Sequence, residues 1–194
     1  MSLIVLIGAQ ASGKMTVGKE LEKRVDGKLL FNHQTIDIFA NYLGYNAHTF
    51  RLSDLMRKEL FKAFVTNHGQ NETNSIIFTV VVNYDEPEDM AFLNEIAAIF
   101  QQENETVYFV ELITSLEERL KRNQHPDRLA AKPSKRDLDF SENELKTTFE
   151  TARLESYPGE LQELFPSVRS LRIFNTELTP DEVCDKILAE LLLE

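Results

Sequence analysis

The chain has 194 residues, 42% apolar and 27% charged, with a net charge of −11. That length is enough to bury the core of one compact domain, and the composition is that of an ordinary globular protein. The acidic balance argues against nucleic acid and anionic membrane as bulk partners, since both repel such a surface. The lone cysteine, Cys184, excludes an internal disulfide and points to the cytoplasm.

The apolar run of residues 3–7 reads as a strand buried on both faces and is too short for a signal segment or a membrane span. The next stretch, Gly8-Ala9-Gln10-Ala11-Ser12-Gly13-Lys14, matches G-x-x-x-x-G-K between that strand and a helix predicted over 14–25, the frame a phosphate-binding loop requires. Its glycines allow inward-turned N–H groups, the helix start adds further donors, and Lys14 supplies a full positive charge. Where the motif calls for Ser or Thr there is Met15, followed by Thr16. The loss is one hydroxyl ligand for Mg²⁺, a metal that keeps several waters and is anchored by substrate phosphates. Thr16 is turned about 100° from that position on a helix and fits an α-phosphate contact better. Met15 therefore weakens the metal claim more than the claim on ATP.

A second strand is predicted over 28–31, then helices over 36–43 and 54–65, the latter with Leu55, Leu60, Phe61 and Phe64 on one side. Residues 76–82 form the most β-branched segment of the chain. Pro87 suits the first turn of a helix to about residue 101, and a fourth strand spans 106–113. Ser115 with Glu118 and Ser141 with Glu144 have capping-box spacing, and Thr179, Pro180 and Glu182 mark the start of the last helix after a strand at 170–174. Five strands alternating with helices imply an α/β fold with a mainly parallel sheet that binds ligand at its strand ends. No linker divides the chain, so residues 1–194 read as one domain, with an insert over 36–70.

Residues 119–136 carry seven basic side chains and one acid, Asp127, in a Pro-punctuated stretch after the fourth strand. Lys132 and Lys135 read as solvated charges. Arg122 and Arg128 are candidates for a segment that closes over a triphosphate. On the acceptor side, His33, Asp37 and Asp85 lie just beyond strand ends, and Arg51 and Arg57 lie in the insert. Each has a plainer alternative: a turn histidine, first-turn helix acids, or surface charges on an amphipathic helix. No His/Cys spacing forms a metal site, and Cys184 shares a helix face with Ile187, Leu188 and Leu191.

The arrangement resembles the small P-loop kinases of the nucleoside monophosphate kinase and shikimate kinase group over nearly the whole chain. More narrowly, "GKMTVG", "FNHQTID", "RLAAKPSKRDL" and "NTELTPDEV" resemble bacterial shikimate-kinase-like ATPases of the AAA family, in which Met follows the loop lysine. The resemblance implies a three-layer P-loop NTPase fold with a five-stranded parallel sheet, a small helical acceptor-binding insert and an arginine-bearing lid over 122–137. It places an adenine contact on Arg122, with Arg119 as rival, a transferring-phosphate contact on Arg128, and the adenine frame on Asn175 and Thr176. The chain departs from shikimate kinases where they carry Asp-x-Asp (here Asn32-His33-Gln34), a glycine triplet (here Asn83-Tyr84-Asp85) and Arg-Pro-Leu (here Arg128-Leu129-Ala130). The expectation is an ATP- and Mg²⁺-dependent kinase for a small hydroxyl or phosphate acceptor other than shikimate. His33, Arg51 and Asp85 would shape the acceptor side, and Asp37 or Asp85 could reach the metal through water. The alternative is a nucleotide-binding switch with little turnover.

Overall fold

The computed structural model describes residues 1–126, 129 and 136–192. Five strands form one sheet: β1 (Ser2–Ile7), β2 (Gly27–Leu30), β3 (Ser75–Val80), β4 (Thr106–Ile113) and β5 (Arg169–Phe174). Their order is β2-β3-β1-β4-β5 and every neighbouring pair is parallel. The strand at the centre, β1, is the one that leads into the glycine loop.

Alternation along β1 builds two cores. Leu3, Val5 and Ile7 face Phe61 and Phe64 of α3 (Ala47–Thr66) and Leu93, Ile96 and Phe100 of α4 (Pro87–Gln101). Ile4 and Leu6 face Val17 and Leu21 of α1 (Lys14–Leu21) and Val183, Cys184 and Ile187 at the far end of the chain. Period-two side chains between two helix layers are the reason this strand reads as a continuous apolar run. Phe61, Phe78 and Phe100 are fully buried and meet edge to face, Phe61 to Phe78 at 5.6 Å. Each such side chain contributes roughly 1.5–3 kcal/mol relative to an exposed one.

Several helix starts differ from the sequence expectation. The helix α2 (Asn32–Leu43) begins directly after β2, where Gln34 Oε1 accepts from the Phe31 N–H at 2.8 Å. Helix α3 begins at Ala47, capped by Asn46 Oδ1, which accepts from His48 N and Thr49 N. Beyond α5 (Leu116–Asn123), helix α6 (Leu138–Thr151) is capped by Asp137, whose carboxylate accepts from Phe140 N. Ser141 is therefore inside α6, buried, and donates to Asn123 Oδ1 at 3.0 Å instead of capping. A short α7 (Glu160–Leu164) precedes β5, and α8 (Pro180–Ile187) carries the expected reciprocal Thr179–Glu182 cap before a π-helical turn, Leu188–Leu192. Helix α1 ends early because its last turn tightens to i→i+3 bonds, Lys23 N to Glu20 O and Arg24 N to Leu21 O. Among the described residues no helix is long and apolar enough to cross a membrane.

Candidate active site

The loop between Ile7 and Lys14 has three residues at positive φ: Gly8 at 153°, Ala11 at 61° and Gly13 at 97°. A Cβ on Gly8 would lie 2.6 Å from the Leu112 carbonyl of β4, so glycine is required on both steric and conformational grounds. Ala11 has no such licence. An L-residue held left-handed costs about 1–2 kcal/mol, and here it is buried within the loop. Strain of this kind collects where a loop must hold a fixed shape for a ligand. Lys14, nearly buried, folds its ammonium back to donate to the Gly8 carbonyl at 2.5 Å and the Ala9 carbonyl at 2.7 Å.

Side chains from later in the chain brace the loop from behind. Asn175 Nδ2 donates to the Ser12 carbonyl at 2.8 Å, and Thr114 Oγ1 donates to Asn175 Oδ1 at 2.6 Å. Arg119, 1% exposed, donates from Nε to the Gln10 carbonyl at 2.8 Å, and burial lowers its pKa. Arg122 donates to Glu118 Oε1 at 2.9 Å and to the carbonyls of Ser12, Asn175 and Thr176 at 3.0–3.3 Å. The two arginines of α5 thus grip the loop at Gln10 and Ser12. The hydroxyl of Thr176 accepts from Ser115 N at 3.0 Å.

Two cavities open at the carboxyl ends of the strands. The smaller, about 270 Å³, is lined by Gly13, Met15, Thr16, Arg122, His125 and Asn175 among others. The larger, about 600 Å³, lies between the loop, α2, α3 and the start of α4, with Gln10, Asn32, His33, Arg57 and Asp89 in its wall. Ala11, Lys14 and Thr79 belong to both walls. Lys14 therefore stands where the two spaces meet.

On the larger cavity's wall, His33 Nδ1 lies 3.1 Å from Asp37 Oδ1, which also accepts from the Tyr45 hydroxyl at 2.9 Å. Arg57 is 4% exposed; it donates to Thr35 Oγ1 at 2.7 Å, Asp54 Oδ1 at 2.8 Å and the Asn32 carbonyl at 2.9 Å. Burial lowers its pKa to about 10. It ties α2 to α3 and is not the surface charge that an amphipathic reading suggests. Arg51, expected at the cleft, is exposed on α3 and lies outside both linings, because the helix turns its 49-53-57-61 ridge inward. Asp85 is also outside both linings: it pairs with Arg153 at 2.8 Å, and the same guanidinium grips Glu160 with two bonds. Asp37 is absent from both walls as well, and no group of three or more His, Cys, Asp or Glu able to hold a metal occurs among the described residues. Arg128, Lys132 and Lys135 lie outside the described residues.

Asn32, Asp54, Thr79 and Asp89 are wall residues the sequence reading did not select. The signal that Arg57 faces inward was the i+4 ladder Thr49, Ser53, Arg57, Phe61 and Val65, all buried. It escaped notice because its first members are polar.

No protein-family model and no curated protein matches the chain. Among solved structures it is similar to a shikimate kinase from Acinetobacter baumannii in complex with shikimate, at 17% identity and a TM-score of 0.57, covering 98% of this chain and 93% of that one. It is similar to a gluconokinase from Sinorhizobium meliloti, at 14% identity and a TM-score of 0.61, covering 98% and 91%. It is also similar to the tunicamycin resistance protein of Deinococcus radiodurans, at 15% identity and a TM-score of 0.60, covering 100% and 96%. The fold is that of the small P-loop kinases.

Proposed function

We propose that the protein is an ATP-dependent phosphotransferase that moves the γ-phosphoryl group of ATP to a small-molecule acceptor other than shikimate. The observation that carries this reading is Lys14 at the junction of two cavities, one framed by the glycine loop and one by α2, α3 and α4. A donor in the first and an acceptor in the second would meet at a positive charge, which is what in-line transfer needs. The Lys14 ammonium, held on the loop's own carbonyls, would turn onto the β- and γ-phosphates.

In the transfer, an acceptor hydroxyl oxygen bonds to the γ-phosphorus as the bond to the β–γ bridging oxygen breaks, and ADP leaves. The hydroxyl proton needs a receiver. His33 is the residue suited to it, since Asp37 against Nδ1 favours the tautomer with Nε2 unprotonated. Arg128, from the lid, would contact the transferring group; Arg122 and Asn175 hold the loop that would bear the phosphates, and Thr176 holds Arg122 through its carbonyl. Mg²⁺ bound to the triphosphate would neutralise charge that develops on the phosphate oxygens. The Met15 thioether does not suit this hard cation. Asn32 does: its Oδ1 is buried in the larger cavity's wall with no hydrogen-bond partner among the described residues, and oxygen donors with water are what Mg²⁺ takes.

A nucleotide-binding switch with little turnover is the second reading, favoured by Met15 at the usual hydroxyl position. Incubation with γ-labelled ATP and a metabolite extract separates the two. Label in a small-molecule product, lost in Lys14→Ala, supports the kinase. Tight ATP binding with no labelled product supports the switch and overturns the kinase.

A further inference from the structure

The phosphate loop is built from small side chains with one exception. Between Gly8 and Gly13 stand Ala9, Ala11 and Ser12, and among them Gln10, whose side chain alone is long. A backbone cradle for an anion needs close approach, which small residues allow. A long amide in the same loop calls for a reason of its own.

Its surroundings supply one. Gln10 lines the larger cavity and not the smaller, whereas its neighbour Ala11 and Lys14 line both. Gln10 therefore stands just past the junction, on the side towards which a transferred group moves. Against it lies Arg119 of α5, 1% exposed, on whose charge Glu155 acts only from a distance. A buried cation without a paired anion is costly, so what it contacts matters. Its Nε donates to the Gln10 carbonyl at 2.8 Å and its Nη2 to Gln10 Oε1 at 3.4 Å. The ring of Phe149, 6.0 Å from Cζ, backs the guanidinium from α6.

Arginine offers donors only, so the amide atom that faces it is the oxygen. That settles which way round the Gln10 amide stands. Its Nε2 has no hydrogen-bond partner among the described residues, and the NH₂ end is left for the cavity. What this side chain can present there is a donor. A phosphoryl group in transit carries its charge on three equatorial oxygens. A donor placed past the junction meets those oxygens better in flight than in bound ATP, and only a contact that strengthens in this way accelerates the transfer.

We infer that Gln10 is a catalytic residue whose Nε2 donates to an oxygen of the phosphoryl group during transfer, and that Arg119 is the positioning residue that orients the amide. This rests on the phosphotransferase reading of the same site. The acceptor oxygen still bonds to the γ-phosphorus as the bond to the bridging oxygen breaks, and Gln10 keeps its own protons throughout.

Titration calorimetry with ADP and Mg²⁺, in the presence and absence of aluminium fluoride, tests the inference, since the fluoride complex copies the planar phosphoryl group. The parent is expected to bind ADP with aluminium fluoride at least about ten-fold more tightly than ADP alone. Gln10→Ala should lose most of that preference while its ADP affinity stays within about two-fold. Gln10→Glu is the sharper variant: its carboxylate keeps the tie to Arg119 and replaces the donor by an anion. A merely structural role predicts that Gln10→Glu retains the preference, and the catalytic role predicts its loss. Arg119→Lys should lower the preference, with no further loss when it is combined with Gln10→Ala; additive losses would remove Arg119 from the inference. A preference absent from the parent, or kept in either Gln10 variant, overturns the inference and leaves the phosphotransferase reading standing. Equal loss of ADP and of the mimic in both Gln10 variants assigns the residue to the shape of the loop and overturns it as well. Failure of the parent to bind ADP or a non-hydrolysable ATP analogue overturns the phosphotransferase reading, and this inference with it.

Discussion

Asn175 Nδ2 and the Ser12 carbonyl, 163 positions apart in the chain, are joined at 2.8 Å. The bond fixes the end of β5 to the phosphate loop, and Thr114 at the end of β4 orients the amide by donating to its oxygen. Both partners are buried, and truncation leaves the Ser12 carbonyl only the longer bonds from Thr114 at 3.2 Å and Arg122 at 3.3 Å. Asn175→Ala is expected to lower stability by about 0.5–1.5 kcal/mol and to weaken ATP binding, since the loop loses its shortest tie to the end of β5. Urea denaturation and nucleotide titration read the two effects separately. A loss of stability with unchanged ATP affinity would confine Asn175 to a structural role.

Gly8 makes a sharper demand. At φ 153° and with the Leu112 carbonyl 2.6 Å from where a Cβ would sit, an alanine there must move either the loop or β4. The backbone term alone is about 1–3 kcal/mol, and the clash adds to it. Gly8→Ala is expected to lower the denaturation midpoint and abolish ATP binding together. Gly44→Ala is the control for conformation without crowding: φ is 72°, with nothing within 4 Å of the added Cβ. It should lose stability only. ATP binding that survives in Gly8→Ala would show that the loop tolerates another path.

Met15, half-buried, lines the smaller cavity next to Thr16. Met15→Ser restores the hydroxyl at the first turn of α1. Nucleotide affinity should be preserved and the Mg²⁺ concentration for half-maximal transfer should be equal or lower, read by titrating Mg²⁺ at fixed ATP. Loss of ATP binding in this variant would assign Met15 a packing role instead.

The loop, the parallel sheet and the C-terminal cap were legible in the sequence because each rests on local chemistry. A buried strand leads to Gly8, Gly13 permits its left-handed turn, and Thr179 bonds Glu182 three residues on. The wall of the larger cavity was not legible in the same way. Leu55 and Leu60, read as the inner face of α3, are 50% and 44% exposed. The inner face is Thr49, Ser53, Arg57, Phe61 and Val65, whose polar members are satisfied by groups distant in sequence: Ser53 and Arg57 by Thr35, and Arg57 by Asn32. Hydrophobic periodicity finds a buried face only where burial is apolar. Asp85 shows the converse: a strand-end acid in the right frame, drawn away by Arg153, a partner that only the tertiary fold supplies.

Asp89 gives the pH signature of the larger cavity. Burial and the neighbouring carboxylates raise its folded-state pKa above the ordinary 3.8, and the backbone bond from Asn83 opposes this only in part. Between the ordinary value and the raised one, the folded state binds more of this proton than the unfolded state does. Stability from this group is therefore greatest at low pH and is lost as pH rises through the raised pKa. Asp89→Asn keeps an oxygen to accept from Asn83 and removes the charge, so the variant should be at least as stable as the parent at pH 7. The variant's advantage should shrink as pH falls through the raised pKa, where the parent's carboxyl takes up its own proton. Urea midpoints of the two proteins across pH 4–7 measure the difference directly and cancel groups with the opposite sign, such as Glu160, whose pKa Arg153 lowers. A variant less stable than the parent at pH 7, with the gap closing as the pH is lowered, would mean that the Asp89 carboxylate is stabilised in the folded state.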